Sequence, residues 1–196
     1  MLLNACASTK LTEVWMDEAY KGKPVSDVLI IGVTEEEGVR RSFETKFVKA
    51  FQAEGAEAVS SANVIKIAGD RKLEKDEIMK AVYKYGNDSV LITTLVSVDS
   101  KEEYRPPRMT YGGYGGPWGF YDHYGYSYGY VHYDPGYSVT HTYYRLETNL
   151  YDVETEKPLW SGVSETLNPK SDKQIIDDVI KVVMNALKKN GLVAKK

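Results

Sequence analysis

Apolar positions along the chain change period several times, and each change predicts an element. Val28-Leu29-Ile30-Ile31-Gly32-Val33 is a continuous apolar run, the pattern of a strand buried on both faces. Three glutamates and Gly38 follow, and then Val39, Phe43, Phe47 and Phe51 recur at every fourth position, with Val48 and Ala50 beside them. That stripe predicts a helix over about 39–54, with acids at its positive end and Gly55 closing it. A second strand is expected near 59–67, turning at Gly69-Asp70. A second helix over about 74–85 carries Ile78, Ala81, Val82 and Tyr85 on one side and stops at Gly86. A third strand is expected over 88–98, where Val90-Leu91-Ile92 marks a central position.

Two long strands, about 138–153 and 158–167, flank the hairpin turn Glu154-Thr155-Glu156-Lys157, with Pro158 at a strand start where it is tolerated. Ser171 and Gln174 have the spacing of a capping box for a last helix over about 172–189, whose Ile176, Val179, Val183 and Leu187 face inward. The order is β-α-β-α-β-loop-β-β-α. It predicts an α/β fold with a mixed sheet of about five strands, covered by three helices. Residues 25–196 are read as one such domain, and the polar stretch 7–24 before it as a tether with a short extended piece that docks Trp15. Fully extended, that tether would reach roughly 65 Å.

Between the third strand and the hairpin lies a segment with no period. Residues 104–137 hold ten of the 16 tyrosines and eight of the 16 glycines. The glycines forbid a stable helix or a flat strand, and insertions of this length are functional or disordered. Three readings stay open. One is a low-complexity loop packed loosely over the sheet. Another is a recognition surface formed by Tyr111, Tyr114, Trp118, Tyr121, Tyr124, Tyr126 and Tyr128, since Tyr and Trp offer large, stiff, amphipathic area at small entropic cost. The third is metal binding, because His123, His132 and His141 fall in or beside the segment with Asp122 and Asp134 near them. Spacings of nine residues do not match a compact ligand pair, so no metal site is assigned.

Composition narrows the classes. The 196 residues carry a net charge of −3, which argues against a nucleic-acid partner, since neutralising phosphates needs a concentrated basic face. No 18-residue apolar stretch is present for a membrane-spanning helix. The single cysteine, Cys6, excludes a disulfide framework and a zinc site built on several thiolates. Its neighbourhood, Leu3-Asn4-Ala5-Cys6, resembles the lipobox of bacterial lipoproteins, in which the cysteine thiol is acylated. A full signal has a charged start and a 7–15-residue apolar stretch, and only five residues precede Cys6, so residues 1–6 are read as a residual signal peptide; the alternative is a free thiol on a frayed terminus. Ala7 at the second mature position, in place of aspartate, resembles an outer-membrane address.

The sequence carries none of the common catalytic patterns. There is no phosphate-cradling glycine motif, and the glycines at 112–119 neither follow a predicted strand nor open a helix. No G-x-S-x-G occurs, and the acid pairs Asp177-Asp178 and Glu102-Glu103 read as solvated. Neither a catalytic residue nor a cofactor is assigned. The expected function is a non-catalytic binding or scaffolding module, tied to the membrane by lipid on Cys6 and docking on an envelope protein. The alternative is a protein that binds or processes cell-wall glycan, with the Tyr/Trp segment as a stacking platform and Asp122 or Asp134 as the acid.

Several runs together resemble a family of small bacterial lipoproteins that carry Tyr/Gly-rich insertions before the hairpin. They are Cys6-Ala7-Ser8-Thr9-Lys10, Val14-Trp15-Met16-Asp17, Val28–Val33, Arg40-Arg41-Ser42-Phe43-Glu44, Asn149-Leu150-Tyr151-Asp152-Val153-Glu154-Thr155 and Leu159-Trp160-Ser161. The resemblance covers nearly the whole chain. The strand order is similar to the N-terminal domain of TolB, to lipoprotein activators of penicillin-binding proteins and to the curli secretion lipoprotein. What the resemblance implies is a non-catalytic envelope protein that docks onto a partner; the lipobox-like pattern with Ala7 sets the expected address on the inner leaflet of the outer membrane, facing the periplasm of a Gram-negative bacterium. Fold alone does not assign a function.

Overall fold

A computed structural model describes residues 9–65, 72–111 and 131–194. The strands are β1 (Thr9–Met16), β2 (Asp27–Val33), β3 (Glu57–Ser60), β4 (Ser89–Arg105), β5 (Arg108–Tyr111), β6 (Val131–Asp134), β7 (Tyr137–Asp152) and β8 (Pro158–Leu167). The helices are α1 (Glu37–Ala53), a single turn α2 (Ser61–Val64), α3 (Lys75–Tyr85) and α4 (Asp172–Lys189). Six strands form one mixed sheet in the order β1-β8-β7-β4-β2-β3, and β5 pairs with β6 separately. β2 runs parallel to both β3 and β4, whereas β8 is antiparallel to both β7 and β1.

The α/β class and the helix-covered mixed sheet are as the pattern predicts. Alternate side chains of β2 enter two separate cores. Val28 and Ile30 join Phe43, Phe47 and Phe51 of α1 and Ile176, Val179, Val183 and Leu187 of α4. Leu29 and Ile31 face the other way, toward Ala81 and Val82 of α3. Trp160 of β8 is fully buried in the first core. A Cβ at Gly162, two residues on, would overlap the far edge of the Trp160 indole, so the ring lies over a glycine. The last helix is capped as expected at Ser171, whose Oγ accepts from the Gln174 N–H at 3.3 Å. The Gln174 side chain accepts from the N–H of Lys170, one residue earlier than a reciprocal box would require.

Three features differ from the sequence expectation. Residues 9–16, read as part of a tether, are an edge strand paired with β8. Leu11 and Met16 are its side chains that pack on the first core, whereas Trp15, expected to dock, is 50% exposed. The strand expected near 59–67 ends at Ser60 and turns into α2, for a reason given below. The two ends of the Tyr/Gly segment, expected to lack regular structure, are also strands, since β4 runs on to Arg105, and β5 and β6 pair from Arg108↔Asp134 to Tyr111↔Val131.

By contacts the chain divides into two compact units. One comprises the residues up to Asp99 and from Thr142 onward, and the other runs from Ser100 to His141.

Candidate functional site

The most heavily bonded titratable group in the described residues is Glu44. On α1, positions 40, 44, 47 and 51 share one face, so Arg40 and Glu44 are charged residues within an apolar stripe. Glu44 is fully buried. Its Oε1 accepts from the Gly32 N–H at 2.9 Å, the Arg40 Nε at 3.0 Å and the Ser61 Oγ at 2.8 Å. Its Oε2 accepts from the Ser60 Oγ and the Ala62 N–H, both at 2.7 Å. Arg40 completes the cluster by donating from Nη2 to the Ser61 Oγ at 2.7 Å.

Gly32 lets the helix come this close, since a Cβ there would sit 3.3 Å from Phe43 Cδ1. The carboxylate thus gathers the ends of β2 and β3 and the start of α2. It also explains why the second strand stops at Ser60, because Ser60, Ser61 and Ala62 all turn their donors to Glu44. With five donors on its two oxygens and a guanidinium beside it, this carboxylate is saturated. It holds three segments together and has no free lone pair aimed at solvent.

A second polar array crosses the sheet. Lys10 of β1 pairs with Glu165 of β8 at 3.5 Å, Arg145 of β7 pairs with the same glutamate at 2.9 Å, and its other arm reaches Asp99 of β4 at 2.9 Å. Alternating signs on four neighbouring strands pin their register. At the start of β2 an acidic corner gathers Asp27, Asp88 and Asn87. Asp88 accepts from the Ser26 N–H and Oγ at 2.8 and 2.7 Å, and Asn87 donates to Asp27 at 2.7 Å. Burial, and the neighbouring Asp88 and Glu57 against the Asn87 hydrogen bond, raise the Asp27 carboxyl above its ordinary value. Tyr20 is likewise raised, by burial and then by Asp152 and Asp88.

The residues singled out from sequence fare differently. Cys6, Tyr114, Trp118, Tyr121, Tyr124, Tyr126 and Tyr128 lie outside the described residues, as do Asp122 and His123. Tyr111 ends β5 opposite Val131, and His132 stands opposite Thr110 in the same pair. Asp134 is exposed at the other end of that pair, opposite Arg108. His141 lies 3.5 Å from Glu103. Among the described residues no three His, Cys, Asp or Glu side chains converge as metal ligands, and no helix is long and apolar enough to cross a membrane. A shallow hollow of about 190 Å³ between α1 and β3 is lined by Val48, Ala58, Val59, Asn63 and Val64, below the several hundred Å³ of a small-molecule pocket.

Neither a protein-family model nor a curated protein matches the chain. Solved structures do resemble it, at low identity. The PelC dodecamer of Paraburkholderia phytofirmans is 10% identical over 97% of this chain and 99% of that one, with a TM-score of 0.46. Lipoprotein GNA1162 of Neisseria meningitidis is 14% identical over 84% of this chain and 99% of that one, with a TM-score of 0.44. A neuraminyllactose-binding hemagglutinin homolog of Helicobacter pylori is 12% identical over 88% of this chain and 93% of that one, with a TM-score of 0.38. A bacterial lipoprotein is thus among the structures the chain resembles. At TM-scores below 0.5 these likenesses fix neither family nor function.

Proposed function

We propose that the chain is a lipid-anchored protein of the bacterial cell envelope that faces the periplasm and works as a non-catalytic binding or scaffolding module. The observation that carries this reading is Leu3-Asn4-Ala5-Cys6, a lipobox-like pattern on the one cysteine of the chain. Acylation there supplies the two or more chains that stable anchoring needs. Ala7 favours an outer-membrane address, on the inner leaflet of a Gram-negative cell. A non-catalytic role is supported by Glu44, whose donors are all internal and whose bonding serves the fold. The contact surface is the aromatic segment, with Tyr111, Tyr114, Trp118, Tyr121, Tyr124, Tyr126 and Tyr128 offering broad, stiff area to an envelope protein.

Photo-crosslinking in the anchored protein tests the contact surface. A photoreactive residue replaces Tyr114 or Trp118, with exposed Lys181 on α4 as the control position. Discrete adducts from positions 114 and 118, absent at 181 and lost when residues 112–130 become a Gly/Ser linker of equal length, are the expected result. Adducts at 114 and 118 no stronger than at 181 would contradict the proposal.

A further inference from the structure

The stretch expected to be a tether lies in the sheet, and this changes what an anchor at Cys6 does. The inference rests on the acylation proposed above. β1 begins at Thr9. Two residues, Ala7 and Ser8, separate it from Cys6, so the three steps along the chain reach about 11 Å even when fully extended. The headgroup zone adds roughly 5–8 Å on each side of the hydrocarbon core. Lipid on Cys6 therefore holds the Thr9 end of β1 at the headgroup surface.

β1 is also an edge strand, with β8 as its neighbour in the sheet order. Leu11 and Met16 pack on the core, but Val14 and Trp15 are 51% and 50% exposed. Being consecutive in a strand, they point to opposite faces of the sheet. Trp15 lies six residues beyond Thr9, or about 20 Å along the strand. Were β1 to stand upright from its anchor, both side chains would sit about 20 Å out in water. Laid along the surface, both reach the interface, where the amphipathic indole is favoured. Charge does not oppose that arrangement, because Lys10, Lys21 and Lys23 balance Glu13, Asp17 and Glu18 across residues 9–24.

We propose that β1 lies along the bilayer, fastened by lipid at Cys6 and seated through Trp15 and Val14, so that the sheet meets the membrane edge-on. The occupant of this edge is the phospholipid surface. Seated there, the outer backbone groups of β1, which pair with no strand among the described residues, are shielded from pairing with another strand.

The test uses the full acylated chain in phosphatidylcholine vesicles, with and without brominated acyl chains. Trp15 emission is the difference between wild type and Trp15→Phe, which subtracts Trp118 and Trp160. Circular dichroism checks that the variant is folded. Trp15 emission should be blue-shifted relative to the unacylated Cys6→Ser protein and quenched roughly twofold by brominated lipid. Emission insensitive to bromine, in protein whose intact mass shows the acyl chains, would overturn the seated edge and leave the anchor standing. An intact mass without acyl chains would overturn both.

Discussion

Replacing Glu44 with alanine is the perturbation whose cost can be worked out most fully. The carboxylate is fully buried, and five donors end on it. Its removal strands the N–H groups of Gly32 and Ala62 and leaves Arg40 buried with Ser61 as its remaining partner in the cluster. A buried polar group left unsatisfied costs about 1–3 kcal/mol, and breaking a buried ion pair by removing one partner costs about 3–5 kcal/mol. The terms overlap, because the serine hydroxyls can turn to one another and water can enter the vacated space. The expected loss is therefore about 4 kcal/mol, against a total stability of about 5–15 kcal/mol for a domain.

Glu44→Gln keeps the shape but aims an amide NH₂ at donors in either orientation, so it should lose about 3 kcal/mol. Removing both charges in Arg40→Met/Glu44→Met should cost less than Glu44→Met alone, because no uncompensated charge remains. Urea denaturation followed by far-UV circular dichroism on the Cys6→Ser form measures all four variants. A loss below about 1 kcal/mol for Glu44→Ala would refute the assignment of Glu44 as the clasp of three segments.

Two further substitutions probe the packing and the acidic corner. Gly162→Ala places a methyl group against the buried Trp160 indole and should destabilise by about 1–3 kcal/mol, with an altered near-UV tryptophan signal; an unchanged midpoint would show that the ring has room to move. Asp27 binds its proton more tightly in the folded state than in the unfolded chain, so its contribution is present below the ordinary carboxyl value and lost as pH rises through the raised one. Asp27→Asn can still accept from Asn87 and should therefore raise the melting temperature at pH 7 but give no gain at pH 3. Equal effects at both pH values would count against that sign.

The elements legible in the sequence are those whose own residues decide them. The phenylalanine stripe of α1, the apolar run of β2 and the Ser171 cap need no distant partner to be recognised. β1 was hidden because a bulge between Leu11 and Glu13 breaks its alternation, and its stability comes from β8, some 150 residues away. The end of β3 was hidden for a similar reason, since the partner of Ser60 and Ser61 is a side chain on α1. The Glu44 cluster did leave a signal, a charged pair spaced i, i+4 within an apolar face, but its five donors come together through tertiary structure. The Cys6 pattern is the reverse case, since local sequence carries it entirely.

Acylation of Cys6 is the step on which the proposed role depends most directly. The decisive measurement is the intact mass and membrane partition of the protein produced in its native cell, beside a Cys6→Ser control. A mass increased by the lipid, with membrane association lost in the control, is the predicted result. An unmodified protein that partitions identically with and without the cysteine would contradict it.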